Sequence, residues 1–143
     1  MKKQLCVLSV LSLVMVIGCS IFVKKEPQSI VGRWGGEHSS GAKVIMEFND
    51  DNSMALIVPG HEEYSFKGTY TADYSKKPIV LSIRNIKSGI ISPACMAIVE
   101  IREGNTLEFQ GNFGSPGQIS PPKEISGFDS PPSELYLKLL KSE

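Results

Sequence analysis

The sequence predicts an all-β domain, an antiparallel up-and-down barrel of about eight strands. Three observations predict it. From Ile30 onward, short runs alternate apolar and polar residues with the two-residue period of a half-buried strand. Clusters of Gly, Pro, Asn and Asp separate these runs at short intervals, and no convincing helical period intervenes. A meander of this kind removes its exposed edges by closing on itself.

The first long strand is Lys43 to Phe48, with Val44, Met46 and Phe48 on one face and Lys43 and Glu47 on the other. Asn49–Asp50–Asp51–Asn52 is a turn, because Asn and Asp tolerate left-handed backbone and bond their own main chain. Met54 to Val58 is apolar on both faces and closes at Pro59–Gly60. Tyr64 to Thr71 places Tyr64, Phe66, Gly68 and Tyr70 on one side, opposite Lys67 and Thr69. After a turn through Asp73 to Pro78, Ile79, Leu81 and Ile83 line a face opposite Ser82 and Arg84. Met96 to Arg102 ends at the hairpin turn Glu103–Gly104–Asn105, and Thr106 to Gly111 follows with Leu107 and Phe109. Gly111 to Ser133 is too rich in Pro and Gly for a central strand and reads as a long loop. In Glu134 to Lys141, Leu135, Leu137 and Leu139 alternate with Tyr136 and Lys138. Leu, Lys and Glu also favour a short helix; the alternation argues for a strand.

Ahead of this domain, Lys2 and Lys3 precede an apolar run from Leu5 to Ile17, and Gly18 then sits beside Cys19. That order is the one a lipoprotein signal peptidase reads. The run is shorter than the roughly 20 residues a spanning helix needs, and Ile17–Gly18–Cys19 is not the Ala-x-Ala-like site of an ordinary signal. The expected organisation is therefore a lipoprotein signal peptide over 1–18, a lipidated Cys19 with a polar tether over 19–29, and the barrel domain over 30–143. Two or more acyl chains on Cys19 would anchor the protein stably in a membrane. The tether, about ten residues, reaches roughly 35 Å at most, which holds the domain close to that membrane. By resemblance to lipoproteins, Ser20 after Cys19 implies the outer membrane, facing the periplasm, if the host is Gram-negative.

Composition narrows the function classes. Processing would leave 125 residues, one domain with a real core. The 15 basic and 15 acidic residues lose Lys2 and Lys3 with the signal, a net charge of −2, and no basic run suggests nucleic acid. Of three cysteines only Cys95 would remain a free thiol, so stability must come from packing. Its neighbours Ala94, Met96, Ala97 and Ile98 suit a buried, inert thiol.

Two segments carry a family resemblance. Gly32–Arg33–Trp34 is similar to the Gly-x-Trp of lipocalins and related calycin barrels. The run Gly68–Thr69–Tyr70 through Lys76–Lys77–Pro78, then an alternating strand, resembles small bacterial lipocalin-like domains abundant in planctomycetes. Glu103–Gly104–Asn105–Thr106–Leu107 and the prolines around Pro116 and Pro121 are similar to the last third of that family, so the resemblance spans roughly Ile30 to Lys141. Ser120–Pro121 stands where the family tends to have Arg-Pro, and Met96–Ala97–Ile98 where it has Gly-Ile-Tyr. The resemblance implies a lipocalin-like barrel whose narrow end is plugged by Trp34 and Gly32, with a cation such as Lys141 or Arg102 over the indole. The competing role for Trp34 is a platform on which a ligand stacks.

Catalytic chemistry needs a base beside a nucleophile, paired carboxylates or clustered metal ligands. His38 lies among Ser39, Ser40 and Gly41, the composition of a solvated loop. His61–Glu62–Glu63 lacks the second histidine of a helical zinc site, and Asn49–Asn52 lacks the long loop and terminal Glu of a calcium site. No catalytic residue, metal or cofactor is expected, and the protein is read as a non-enzyme. Phe113, Ile119, Ile125 and Phe128 make the Gly111–Ser133 loop more apolar than a linker needs. It is either a recognition loop or a cover folded over an open barrel end. The inward residues Met46, Phe48, Met54, Phe66, Ile83 and Phe109 are large and lean toward a filled or nearly filled core. The leading expectation is a membrane-anchored barrel that binds a small apolar ligand inside, or an envelope partner at its rim. The alternative is a structural or inhibitor-type envelope lipoprotein that acts through its loops around a filled core.

Overall fold

The computed structural model describes residues 28–143 apart from Gly104. The expected signal peptide, Cys19 and most of the expected tether lie outside the described residues. Eight strands follow one another: β1 (Gly32–Glu37), β2 (Lys43–Phe48), β3 (Ser53–Ile57), β4 (Phe66–Asp73), β5 (Ile79–Lys87), β6 (Ala94–Arg102), β7 (Thr106–Gly114) and β8 (Glu134–Lys141). Each pairs antiparallel with the next, and β8 returns to β1, closing the barrel. The closing pair sets Trp34 opposite Lys141 and Gly36 opposite Leu139. A carbon added at Gly36 would lie 2.3 Å from the Lys138 carbonyl oxygen, so only glycine lets the last strand dock there.

Alternation decides what faces inward. Trp34, Met46, Phe48, Met54, Leu81, Ile83, Leu107, Phe109, Leu137 and Leu139 all belong to one buried cluster inside the barrel. Among the described residues, the eight strands close on themselves around this core within 28–143, a span that meets the requirements of a folding unit. The up-and-down order divides the connections between two poles. The β2–β3, β4–β5 and β6–β7 turns lie at the pole where the chain enters and leaves the barrel. The β1–β2, β3–β4, β5–β6 and β7–β8 connections start from the other pole, the mouth.

The structure shifts several elements. β4 begins at Phe66, because Glu62–Tyr64 forms a single 3₁₀ turn that turns Tyr64 outward, 53% exposed. β5 runs on to Lys87 through a bulge: the register slips between Lys67 and Thr69, and Asn85 takes a left-handed φ of 55°. The extra residue returns Ile86 to the interior. β7 continues past Gly111 to Gly114, so the loop spans 115–133. Gly111 is a strand residue because a carbon there would meet Cys95 Sγ at 2.7 Å and the Phe109 ring at 2.9 Å.

The 115–133 segment packs along the outer wall of β6, β7 and β8. Ile98, Gln110 and Tyr136 point away from the interior cluster yet are buried, as is Pro122 in the segment itself. Phe128 stacks edge-on against Tyr136 at 4.9 Å, and Asn112 Nδ2 donates to the Ser120 carbonyl at 3.1 Å. Ile119 sits over Gly114, where an added carbon would come within 2.3 Å of its Cγ2. The segment is a strap.

Candidate functional site: a cavity at the barrel mouth

The pole where the chain enters is stoppered. The Trp34 indole is 1% exposed, and its Nε1 donates to the Ile30 carbonyl at 2.7 Å. Lys141 Nζ stands 5.5 Å from the ring centroid, so the side chain that continues β8 caps the indole. Gly32, at φ +133°, lies under that lysine, where an added carbon would sit 3.1 Å from Lys141 Cε. Arg102 is engaged elsewhere, with Glu100 and Glu108 on the outer wall. Phe48 and Tyr70 meet edge-to-face at 5.0 Å, and the Tyr70 hydroxyl donates to the Asn49 carbonyl at 3.0 Å, sealing the neighbouring turn.

Toward the mouth the interior opens into a cavity of about 610 Å³. Its walls are the buried Val44, Leu56, Phe66 and Leu137, joined by half-buried Ala42, Phe113 and Leu135. Phe66 and Phe113 meet at 5.9 Å, nearly perpendicular. The large inward residues Met46, Phe48, Met54, Ile83 and Phe109 do not border this cavity, whose walls are largely smaller aliphatic groups with Phe66 and Phe113 among them. The core is thus filled at one pole and hollow at the other. A barrel of this strand number has room for side chains or for one small ligand, and this one divides its length between them.

Polar groups gather at the rim. His38 and Ser40 come from the β1–β2 connection, His61 and Tyr64 from β3–β4, and Ser92 from β5–β6 beside Ile90 and Ile91. His38 Nδ1 and Ser40 Oγ are 3.0 Å apart, and His61 Nδ1 lies 3.4 Å from Glu63 Oε1. The fold therefore brings the two histidines, far apart in sequence and solvated in composition, to one opening. Among the described residues, no group of three His, Cys, Asp or Glu side chains is arranged to hold a metal ion.

Of the loop residues singled out from sequence, Phe113 alone lines the cavity. Ile119, Ile125 and Phe128 belong to the strap on the outer wall, and Phe128 remains 60% exposed. Trp34 does not border the cavity. The sequence placed Val44 inward and read His38 as solvated; that these, Ala42 and His61 share one opening comes from strand register, which no local signal shows. Cys95 is fully buried in the interior, and burial pushes its thiol up to about 12.

Fold and site together define a closed eight-stranded barrel with one stoppered pole and one apolar, solvent-connected cavity. Comparison with protein-family models, curated proteins and solved structures found no match, so the function is read from these residues.

Proposed function

We propose that this protein is a membrane-anchored binding protein: a lipocalin-like barrel, lipidated at Cys19 in the cell envelope, that takes a small apolar ligand into its mouth cavity. The cavity carries the reading. Its 610 Å³ fall within the range of small-molecule sites, about 300–1,000 Å³, and its apolar walls with a few polar rim groups match their usual composition. The anchor is supported by the apolar run Leu5–Ile17 ahead of Gly18–Cys19.

Titrating residues 28–143 with N-phenyl-1-naphthylamine, an apolar dye that brightens out of water, tests the binding. Saturable brightening is expected, and Ala42→Trp, which puts an indole into the cavity, should abolish it. A signal that never saturates, or one that Ala42→Trp leaves intact, overturns the reading. The anchor is tested separately by metabolic fatty-acid labelling of the full chain. Label on the wild type that disappears in Cys19→Ala supports it, and label retained on the variant refutes it.

A further inference from the structure

The polar groups at the mouth have a definite charge character, and it discriminates among ligands. Among the described residues, no Lys or Arg lines the cavity. Lys43 and Lys87 lie nearby in sequence, but alternation with inward Val44 and Ile86 turns both to solvent. Of the acidic residues adjoining the lining histidines, Glu63 already faces His61 at 3.4 Å, its neighbour Glu62 is exposed, and Glu37, next to His38, is exposed on β1 opposite Lys43 and Lys138. An anionic head would leave water to meet no Lys or Arg and an adjacent carboxylate, and a cationic head would find that carboxylate already facing His61. That is the unfavourable case for burying a charge. His38 and Ser40 can each donate and accept hydrogen bonds, as a hydroxyl head requires. Because Trp34 and the residues around it block the far pole, a ligand has one way in, and its polar end stays at the rim.

We propose that the cavity selects single-chain amphiphiles with an uncharged, hydroxyl-bearing head, the head held by His38 and Ser40 and the chain directed toward Trp34. This rests on the ligand-binding reading above and specifies its ligand class.

The test is displacement of N-phenyl-1-naphthylamine from residues 28–143 near neutral pH by decan-1-ol, decanoate, decyltrimethylammonium and 1-chlorodecane. Decan-1-ol should displace the dye at a concentration about tenfold lower than either ion, the effect of leaving one charge poorly solvated. The double variant His38→Phe, Ser40→Ala should erase the advantage of decan-1-ol over 1-chlorodecane. Placing a cation at the mouth with His61→Lys should shift the ranking toward decanoate. Decanoate or the ammonium matching decan-1-ol on the wild type overturns the proposal while leaving apolar binding in place. So does a His61→Lys variant with an unchanged ranking, or an alcohol advantage that survives the double variant. If no saturable dye binding exists to displace, the ligand-binding reading itself fails, and this one with it.

Discussion

Gln110 and Ser126 clasp each other across 16 positions of sequence: the Ser126 amide donates to Gln110 Oε1 at 2.8 Å, and Gln110 Nε2 donates to Ser126 Oγ at 2.9 Å. Gln110 is 1% exposed, and its amide also reaches the Glu134 carboxylate. Its side-chain amide is thereby satisfied under the strap. The strap is fastened at this point.

Gln110→Ala should therefore destabilise the domain by about 1–3 kcal/mol, the cost of leaving the Ser126 donor without its partner. Urea unfolding followed by circular dichroism reads this. Replacing 115–133 by a short turn should cost more, because Ile98 and Tyr136 lose their cover. A shortened domain with an unchanged midpoint would show instead that the segment contributes nothing to folding.

Trp34→Ala should destabilise by about 3–5 kcal/mol, the range for removing a buried aromatic. Trp34→Phe keeps most of the apolar bulk but loses the bond to the Ile30 carbonyl, and should cost less. Lys141→Ala removes the cation over the ring, a contact worth about 0.5–1 kcal/mol at an exposed site. Equilibrium unfolding by circular dichroism orders the three variants, and Trp34→Ala must come last in stability.

Alkali should weaken the fold. Burial raises the Cys95 thiol from 9.0 to about 12. Burial first, then the hydrogen bond to Glu108, raises the Tyr136 phenol from 10.0 to about 12. Both groups are neutral when protonated, so the unfolded chain releases these protons at lower pH than the folded one. Their contribution is complete below pH 9 and is lost as pH rises from there toward about 12. The urea midpoint should fall through that window, with a smaller fall in Cys95→Ala than in the wild type. Below it, the buried thiol should react with a disulfide reagent only as fast as the domain opens.

The bulge gives a fourth test. Asn85 sits at φ 55°, where a side chain with a β-carbon is disfavoured by roughly 1–2 kcal/mol and Asn is tolerated through local hydrogen bonding. Its Nδ2 donates to Thr69 Oγ1 at 3.1 Å. Asn85→Ala should lower the unfolding free energy by about that amount, and Asn85→Gly by less. If the two cost the same, backbone conformation is not what the position demands.

Strands with strict alternation were legible from sequence. β2 and β8 have the expected limits because Val44, Met46 and Phe48, and then Leu135, Leu137 and Leu139, mark one face without interruption. The end of β7 was not, because Gly111 and Gly114 look like loop residues when counted as composition. Their role is to admit Cys95, Phe109 and Ile119, which tertiary packing alone brings near. β5 stops alternating at Asn85, and only its left-handed turn explains how Ile86 rejoins the core. Tyr64 fits the alternation of β4 but lies in the turn before it. The inward residues leaned toward a filled core for a related reason: their size was visible, but not that register sets only Phe66 of them, with smaller residues, around a cavity. The apolar residues of 115–133 marked it as more than a linker; Ile119 and Ile125 are half-buried and Phe128 exposed, and nothing local distinguishes a strap from a cover.

Ile30 and Ser142, where the chain joins and leaves the barrel, both lie at the stoppered pole: Ile30 accepts from Trp34, and the Ser142 amide donates to the Arg33 carbonyl at 2.8 Å. Among the described residues, the opposite pole holds no chain end. Residues 28–143 could therefore be joined tail to head across the stoppered pole and recut in a mouth loop without cutting a single strand.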